Sequence, residues 1–121
     1  MPVIKVWCLP LGQSEESLNC LHQAIVTAAV SIVEIGLKDE NGIICLFPSD
    51  LMEYGLGEKI VIEIGDLRRL RGRFYDNICK ITVRDQFAEA VGQAVKSLYP
   101  EARVECHIEV PVASDVFWTS D

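Results

Sequence analysis

The sequence predicts one domain of the α/β (α+β) class, in which duplicated β-α-β units form a four-stranded sheet with two helices on one face. Its 121 residues are enough for a single domain with a sizeable core. Two long segments carry apolar residues at helical spacing, and short β-rich runs flank each of them. A strand that returns to its sheet through a helix implies a right-handed parallel crossover. We therefore expect one domain over residues 1–121, with pseudo-repeats at about 1–56 and 57–121.

The first unit starts with residues 3–9, which are rich in β-branched side chains and predict a strand. Ser14 is followed by two glutamates, a pattern typical of a helix start. Apolar residues then recur at helical spacing, and Gly36 is the predicted C-terminal cap of this helix. Residues 43–47 form a short apolar run that indicates a buried strand.

The second unit repeats this order. Residues 59–64 alternate and predict the third strand, and a second helix is expected within residues 75–98. The start of this helix is uncertain because residues 81–83 are all β-branched. Pro100 ends the helical pattern, and residues 103–110 alternate as a fourth strand.

Composition limits the classes of partner. The net charge is −7, with 18 acidic against 11 basic residues, which argues against a general affinity for nucleic acid or anionic membranes. No apolar run approaches the ~18 residues of a membrane span, and the start lacks the layout of a signal peptide. We expect a cytoplasmic protein with no nucleic-acid or membrane partner.

The cysteines and histidines predict neither a metal site nor a cofactor. Five cysteines, an odd number at wide spacing in apolar segments, favour reduced core thiols over a disulfide framework. No C-x-x-C pair is present, and His107-x-Glu109 lacks the P-C-x-x-C partner of a zinc deaminase motif. The cysteines are Cys8, Cys20, Cys45, Cys79 and Cys106.

The strands also predict association between copies. Residues 43–47 and 59–64 carry more apolar side chains than helices on one side of a sheet can cover. The second face of the sheet then needs another covering layer. A symmetric oligomer of this chain supplies it.

Pro2 is the leading candidate for chemistry. An initiator Met followed by Pro is a substrate for aminopeptidase removal, which would leave a chain that begins with a secondary amine. At the start of a buried strand, that amine loses water, and burial disfavours the charged form of a base. A neutral amine can take protons from carbon acids. The alternative is that Pro2 only begins a strand, a place where proline is well tolerated.

Three segments together resemble the tautomerase superfamily, and most closely its macrophage migration inhibitory factor type. They are Met1-Pro2 before the first strand, the segment 48–55 after the second strand, and the segment from Val104 to Trp118. The resemblance implies a homotrimer of duplicated strand-helix-strand units with a catalytic N-terminal proline. It therefore implies that Pro2, after removal of Met1, is a general base acting on a small carboxylated α-keto or enol acid.

Departures from the family pattern leave the substrate-binding residues open. The family's strand-four tyrosine and asparagine fall on Glu105 and His107, which face the same side of the strand. This pair is either an acid and polariser beside Pro2 or a polar pair between subunits.

Two arginines and a tryptophan complete the candidate site. Some members that act on carboxylated substrates carry a Gly-Arg pair at the start of the second helix, where Gly72-Arg73 stands. Arg73 and Arg71 are therefore candidate carboxylate ligands, because a guanidinium grips a carboxylate at two points. The alternative for both is a solvated charge run. Trp118 is either a pocket wall or an anchor of the tail.

The sequence thus predicts a tautomerase or isomerase. One alternative is a non-catalytic binding or interaction protein on the same trimeric fold, and another is a dehalogenase- or decarboxylase-type member of the superfamily. A third is a ferredoxin-like regulatory module, which shares the element order but pairs its strands antiparallel.

Overall fold

The computed structural model describes residues 2–10, 12–38, 40–48, 59–65 and 81–109. Within these ranges, four strands and two α-helices alternate as the sequence predicts. They are β1 (Val3–Trp7), α1 (Glu15–Val30), β2 (Ile44–Leu46), β3 (Lys59–Gly65), α2 (Ile81–Leu98) and β4 (Arg103–Ile108).

The four strands form one sheet in the order β2-β1-β3-β4. β1 pairs parallel with β2, and β3 pairs parallel with β4, so each strand-helix-strand unit makes a parallel pair. The two units meet where β1 and β3 run antiparallel at the centre of the sheet. The predicted parallel crossovers are confirmed. The parallel pairing of β1 with β2 also contradicts the ferredoxin-like alternative.

The core lies between the sheet and the two helices. Alternate residues of the central strands point to the helices and are buried, as the two-residue period of a strand requires. Each helix packs against these strand residues with apolar side chains spaced four residues apart. This spacing places them in a single row along one face of the helix. The fully buried members are Ile4, Val6, Ile60, Ile62, Ile64, Leu21, Ile25, Ala29, Phe87, Val91 and Val95.

Helix α1 starts as predicted but ends earlier. The hydroxyl oxygen of Ser14 accepts a hydrogen bond from the Ser17 backbone N–H at 3.0 Å and caps the first turn. The helix stops at Val30, because Ile32 takes an extended conformation. Gly36 therefore does not cap α1, and that prediction is wrong. With φ of 79°, Gly36 instead ends the short 3-10 turn Val33–Ile35.

Helix α2 includes the three β-branched residues that obscured its start in the sequence. Val83 is 6% exposed and continues the row of Phe87, Val91 and Val95 into the core. Burial of this side chain outweighs the modest helix penalty of a β-branched residue. Neither of the two described helices is both long and apolar enough to cross a membrane.

The prediction that the cysteines are core thiols holds for only part of the set. Cys20 is exposed, so the prediction is wrong there: the residue lies off the buried stripe of α1. Cys45 and Cys106 are partly buried, and burial raises their thiol pKa values to about 11 and about 12. Both thiols are therefore protonated at neutral pH. Cys79 lies outside the described residues.

Replacement of Phe87 by alanine tests the core. Phe87 is the largest fully buried side chain, and its truncation should lower the free energy of unfolding by about 3–5 kcal/mol. The matched control is Leu98→Ala on the same helix, since Leu98 is 42% exposed and should change stability by less than about 1 kcal/mol. Urea unfolding at one protomer concentration measures both variants. Equal losses would contradict this account of the core.

Candidate functional site

Pro2 lies at the start of the central part of the sheet. It is buried, and it shares the side of the sheet on which Ile4 and Val6 meet the helices. Its carbonyl oxygen accepts a hydrogen bond from the Ile44 backbone N–H at 3.0 Å, so pairing of β1 with β2 extends to this residue. On the other side, Val3 pairs with Gly65 of β3. The backbone is therefore paired with β2 at Pro2 and with β3 from Val3 onward.

The sheet face opposite the helices is here called the outer face. It is formed by the alternate strand residues that point away from the core, and it divides into an apolar part and a charged part. Ile44 and Leu46 on β2 are 39% and 44% exposed. The charged part occupies β3 and β4 and comprises Lys59, Glu63, Arg103, Glu105 and His107.

Three residues of the charged part contact one another and form what we call the charged cluster: Lys59, Glu105 and His107. The Lys59 Nζ atom lies 2.7 Å from Glu105 Oε1, and His107 Nε2 lies 3.4 Å from Glu105 Oε2. The hydrogen bond from Lys59 is the largest influence on Glu105 and lowers its carboxyl pKa; partial desolvation opposes this, and the contact with His107 adds to it. Glu105 is therefore an ionised carboxylate at neutral pH.

A shallow cavity of about 550 Å³ opens on the outer face at the end of the sheet where β1 begins. A row of paired residues, Lys5, Glu63 and His107, crosses three strands beneath it. At its rim, a Cβ atom on Gly65 would lie 2.9 Å from Glu109 Oε2, so a larger residue there would require the Glu109 carboxylate to move. The cavity brings one ammonium and one imidazole together with two carboxylates.

Glu105 and His107 lie on the same side of β4, as the sequence predicts, but a single chain does not bring this pair to Pro2. Strand β3 separates β1 from β4, so the two strands lie about 10 Å apart. Pro2 also faces the helices, whereas the pair faces outward. Arg71, Arg73 and Trp118 lie outside the described residues, as do residues 49–55 of the resembling segment.

Lys59 is a member of the charged cluster that the sequence did not predict. Its contact with Glu105 depends on the register of β3 against β4, in which Lys59 pairs with Arg103 and is therefore a diagonal neighbour of Glu105. The sequence indicated this contact only indirectly, because Lys59 and Glu105 both occupy outward-facing positions of strands that turn out to be adjacent.

Comparison with known proteins supports the fold through structure alone. No family model matches the sequence, and no curated protein matches it significantly. Among solved structures, a fused 4-OT asymmetric trimer matches with a TM-score of 0.68 at 16% identity, covering 98% of this chain and 94% of that one. The macrophage migration inhibitory factor of Toxoplasma gondii matches with a TM-score of 0.63 at 12% identity, covering 98% and 97%. The chain has the fold of the tautomerase superfamily.

A third solved structure is similar to this chain over most of both chains. A malonate semialdehyde decarboxylase structure, described for decarboxylase and hydratase activities, matches with a TM-score of 0.53 at 13% identity, over 98% of this chain and 92% of that one. At these identities the likeness establishes the fold. The tautomerase resemblance drawn from Met1-Pro2 and the two later segments is confirmed at that level.

Titration of Glu105 tests the charged cluster. Lys59→Met removes the hydrogen bond that most lowers the Glu105 pKa, so that pKa should rise toward its ordinary value near 4.3. A lowered carboxyl pKa stabilises the folded state at pH values above the pKa of the unfolded chain. The greater stability of the wild type relative to Lys59→Met should therefore disappear as the pH falls through the Glu105 pKa of the folded protein. Carboxyl NMR shifts followed between pH 2 and 6 measure the change, with exposed Lys38→Met as control. An unchanged Glu105 titration in Lys59→Met would contradict the assignment.

Proposed function

We propose that this protein is a tautomerase or isomerase that uses the N-terminal amine of Pro2 as a general base on a small carboxylated α-keto or enol acid. The observation that carries this proposal is the burial of Pro2 directly before a central strand in the tautomerase fold. A proline at this place has a defined position and a desolvated environment. Both are what a proton-transfer residue needs.

The chemistry depends on removal of Met1. While Met1 is attached, the Pro2 nitrogen belongs to a peptide bond and has no basic lone pair. After removal it is a secondary amine, and burial lowers its pKa below the ordinary α-amino value of about 8. The neutral amine then takes a proton from the carbon next to a carbonyl. The electrons of that C–H bond form the enolate, and the proton returns at a different position, a contribution of about 10²- to 10⁴-fold in rate.

The proposal includes a homotrimer in which the site is shared between copies. β2 and β4 are the two edges of the sheet, and the apolar side chains of Ile44 and Leu46 are exposed at one of them. Exposed edges and apolar patches of this kind favour pairing with another chain. Glu105 and His107 of the charged cluster lie on β4, at the opposite edge of the sheet. In the proposed trimer, these two residues therefore reach Pro2 of a neighbouring copy. Structural relatives described as fused 4-OT trimers agree with this assembly.

The proposal also gives roles in substrate binding to two arginines and a tryptophan, on the basis of their side-chain chemistry. Arg73 and Arg71 would hold the substrate carboxylate, and one well-placed donor to the developing enolate contributes about 3 kcal/mol. Trp118 would supply an apolar wall. An ionised Glu105 close to a carboxylated substrate repels it, and Lys59 offsets that repulsion because it carries the opposite charge 2.7 Å away.

Ketonisation of phenylenolpyruvate by the Met-free protein tests the function. Pro2→Ala should lower kcat/KM by at least about tenfold, because alanine places a primary amine with a different basicity and no ring at this position. Val33→Ala, at a side chain 80% exposed, is the control and should leave the rate unchanged. Intact-mass measurement confirms the absence of Met1 in each sample.

Two outcomes would contradict the proposal. Equal rates for wild type and Pro2→Ala would remove Pro2 as the base. No turnover by the Met-free protein would favour the alternatives of a non-catalytic binding protein or a decarboxylase-type enzyme, and release of CO₂ from malonate semialdehyde would distinguish between these two.

A further inference from the structure

The strongest unassigned feature is the way Lys59 and Glu105 constrain His107. Glu105 binds through both carboxylate oxygens: Oε1 contacts the Lys59 ammonium and Oε2 contacts His107 Nε2. An ionised carboxylate is only a hydrogen-bond acceptor, so the imidazole nitrogen that faces it must carry the proton. The contact with Glu105 therefore favours the Nε2–H tautomer of a neutral His107, in which Nδ1 keeps its lone pair.

Lys59 influences the direction in which the Glu105 carboxylate points. The side-chain exposures of Lys59, Glu105 and His107 are 49%, 46% and 64%, so an isolated glutamate on this strand would sample several rotamers in water. In the structure, Lys59 contacts one carboxylate oxygen of Glu105 at 2.7 Å, and the second oxygen lies 3.4 Å from His107 Nε2. We propose that Lys59 is a positioning residue that acts through Glu105 to present the unprotonated Nδ1 of His107 to the hydroxyl of an enol substrate.

This inference rests on the proposed function, because it places His107 in the reaction site of a neighbouring copy. It adds a preference between substrate tautomers. An enol hydroxyl can donate a hydrogen bond to Nδ1, whereas the carbonyl oxygen of the keto form has no proton to donate. The site then binds the enol form through one more hydrogen bond than the keto form.

Several charged groups share the outer face with His107 and set the conditions of the test. Glu105 lies on its own strand, Glu109 directly follows that strand, Glu63 pairs with His107 from β3, and Lys5 pairs with Glu63 from β1. Measurements are therefore made at fixed ionic strength and at a pH at which His107 is neutral.

Imidazole ¹⁵N NMR provides a readout that does not depend on activity. The chain has two histidines, so His22 serves as an internal reference, and His107→Gln assigns the signals. Wild type should show the Nε2–H tautomer at His107. Lys59→Met should shift His107 toward a mixture of tautomers, Lys59→Arg should restore the wild-type spectrum, and Lys38→Met should leave it unchanged. A His107 spectrum that is the same in wild type and Lys59→Met would overturn the proposal.

Kinetics on the Met-free protein supply the second readout. Lys59→Met should raise KM for phenylenolpyruvate on the order of 3- to 10-fold, the value of one hydrogen bond, with kcat less affected, and Lys59→Arg should recover most of the loss. A tautomer shift without any change in KM would overturn the enol-binding role of His107. Loss of activity in Pro2→Ala together with unchanged kinetics in Lys59→Met would reject this inference and keep the proposed function. A tautomer shift in a protein without turnover would reject both the function and the enol-binding role of His107, and would keep only the structural link from Lys59 through Glu105 to His107.

Discussion

The hydrogen bond from the Ile44 backbone N–H to the Pro2 carbonyl is the interaction on which the rest of the site depends. It continues the parallel pairing of β1 with β2 as far as Pro2. Because β3 pairs with β1 on the other side, the start of the chain is held between two strands. Sheet pairing thereby fixes the backbone at Pro2, and the residue is buried.

The same sheet places the candidate site residues on opposite faces. Pro2 belongs to the set of residues that meet the helices, whereas Glu105 and His107 belong to the outer face, two strands away. One chain therefore holds the parts of the candidate site without bringing them together. The proposed trimer would bring the β4 edge of one copy to the β2 edge of the next, which carries the exposed Ile44 and Leu46.

The order of elements and the composition of the core were predictable because both follow from local periodicity. Alternation marked the buried residues of β1 and β3, and the spacing of Phe87, Val91 and Val95 marked the buried side of α2. The errors arose where tertiary context decides. Gly36 ends a 3-10 turn because the chain leaves α1 at Ile32, and Cys20 is exposed because it lies off the apolar stripe. The contact of Lys59 with Glu105 needed the register of two strands, which periodicity along one strand does not specify.

The central claim is that burial makes the Pro2 nitrogen a neutral base, and its pKa in the Met-free protein is the most direct measure of that claim. ¹⁵N NMR titration of protein labelled at proline reports this pKa without any assumption about substrate. The account predicts a value clearly below the ordinary α-amino value of about 8, since desolvation disfavours the ammonium form. A value at or above 8 would show that the sheet does not desolvate Pro2, and it would contradict the account.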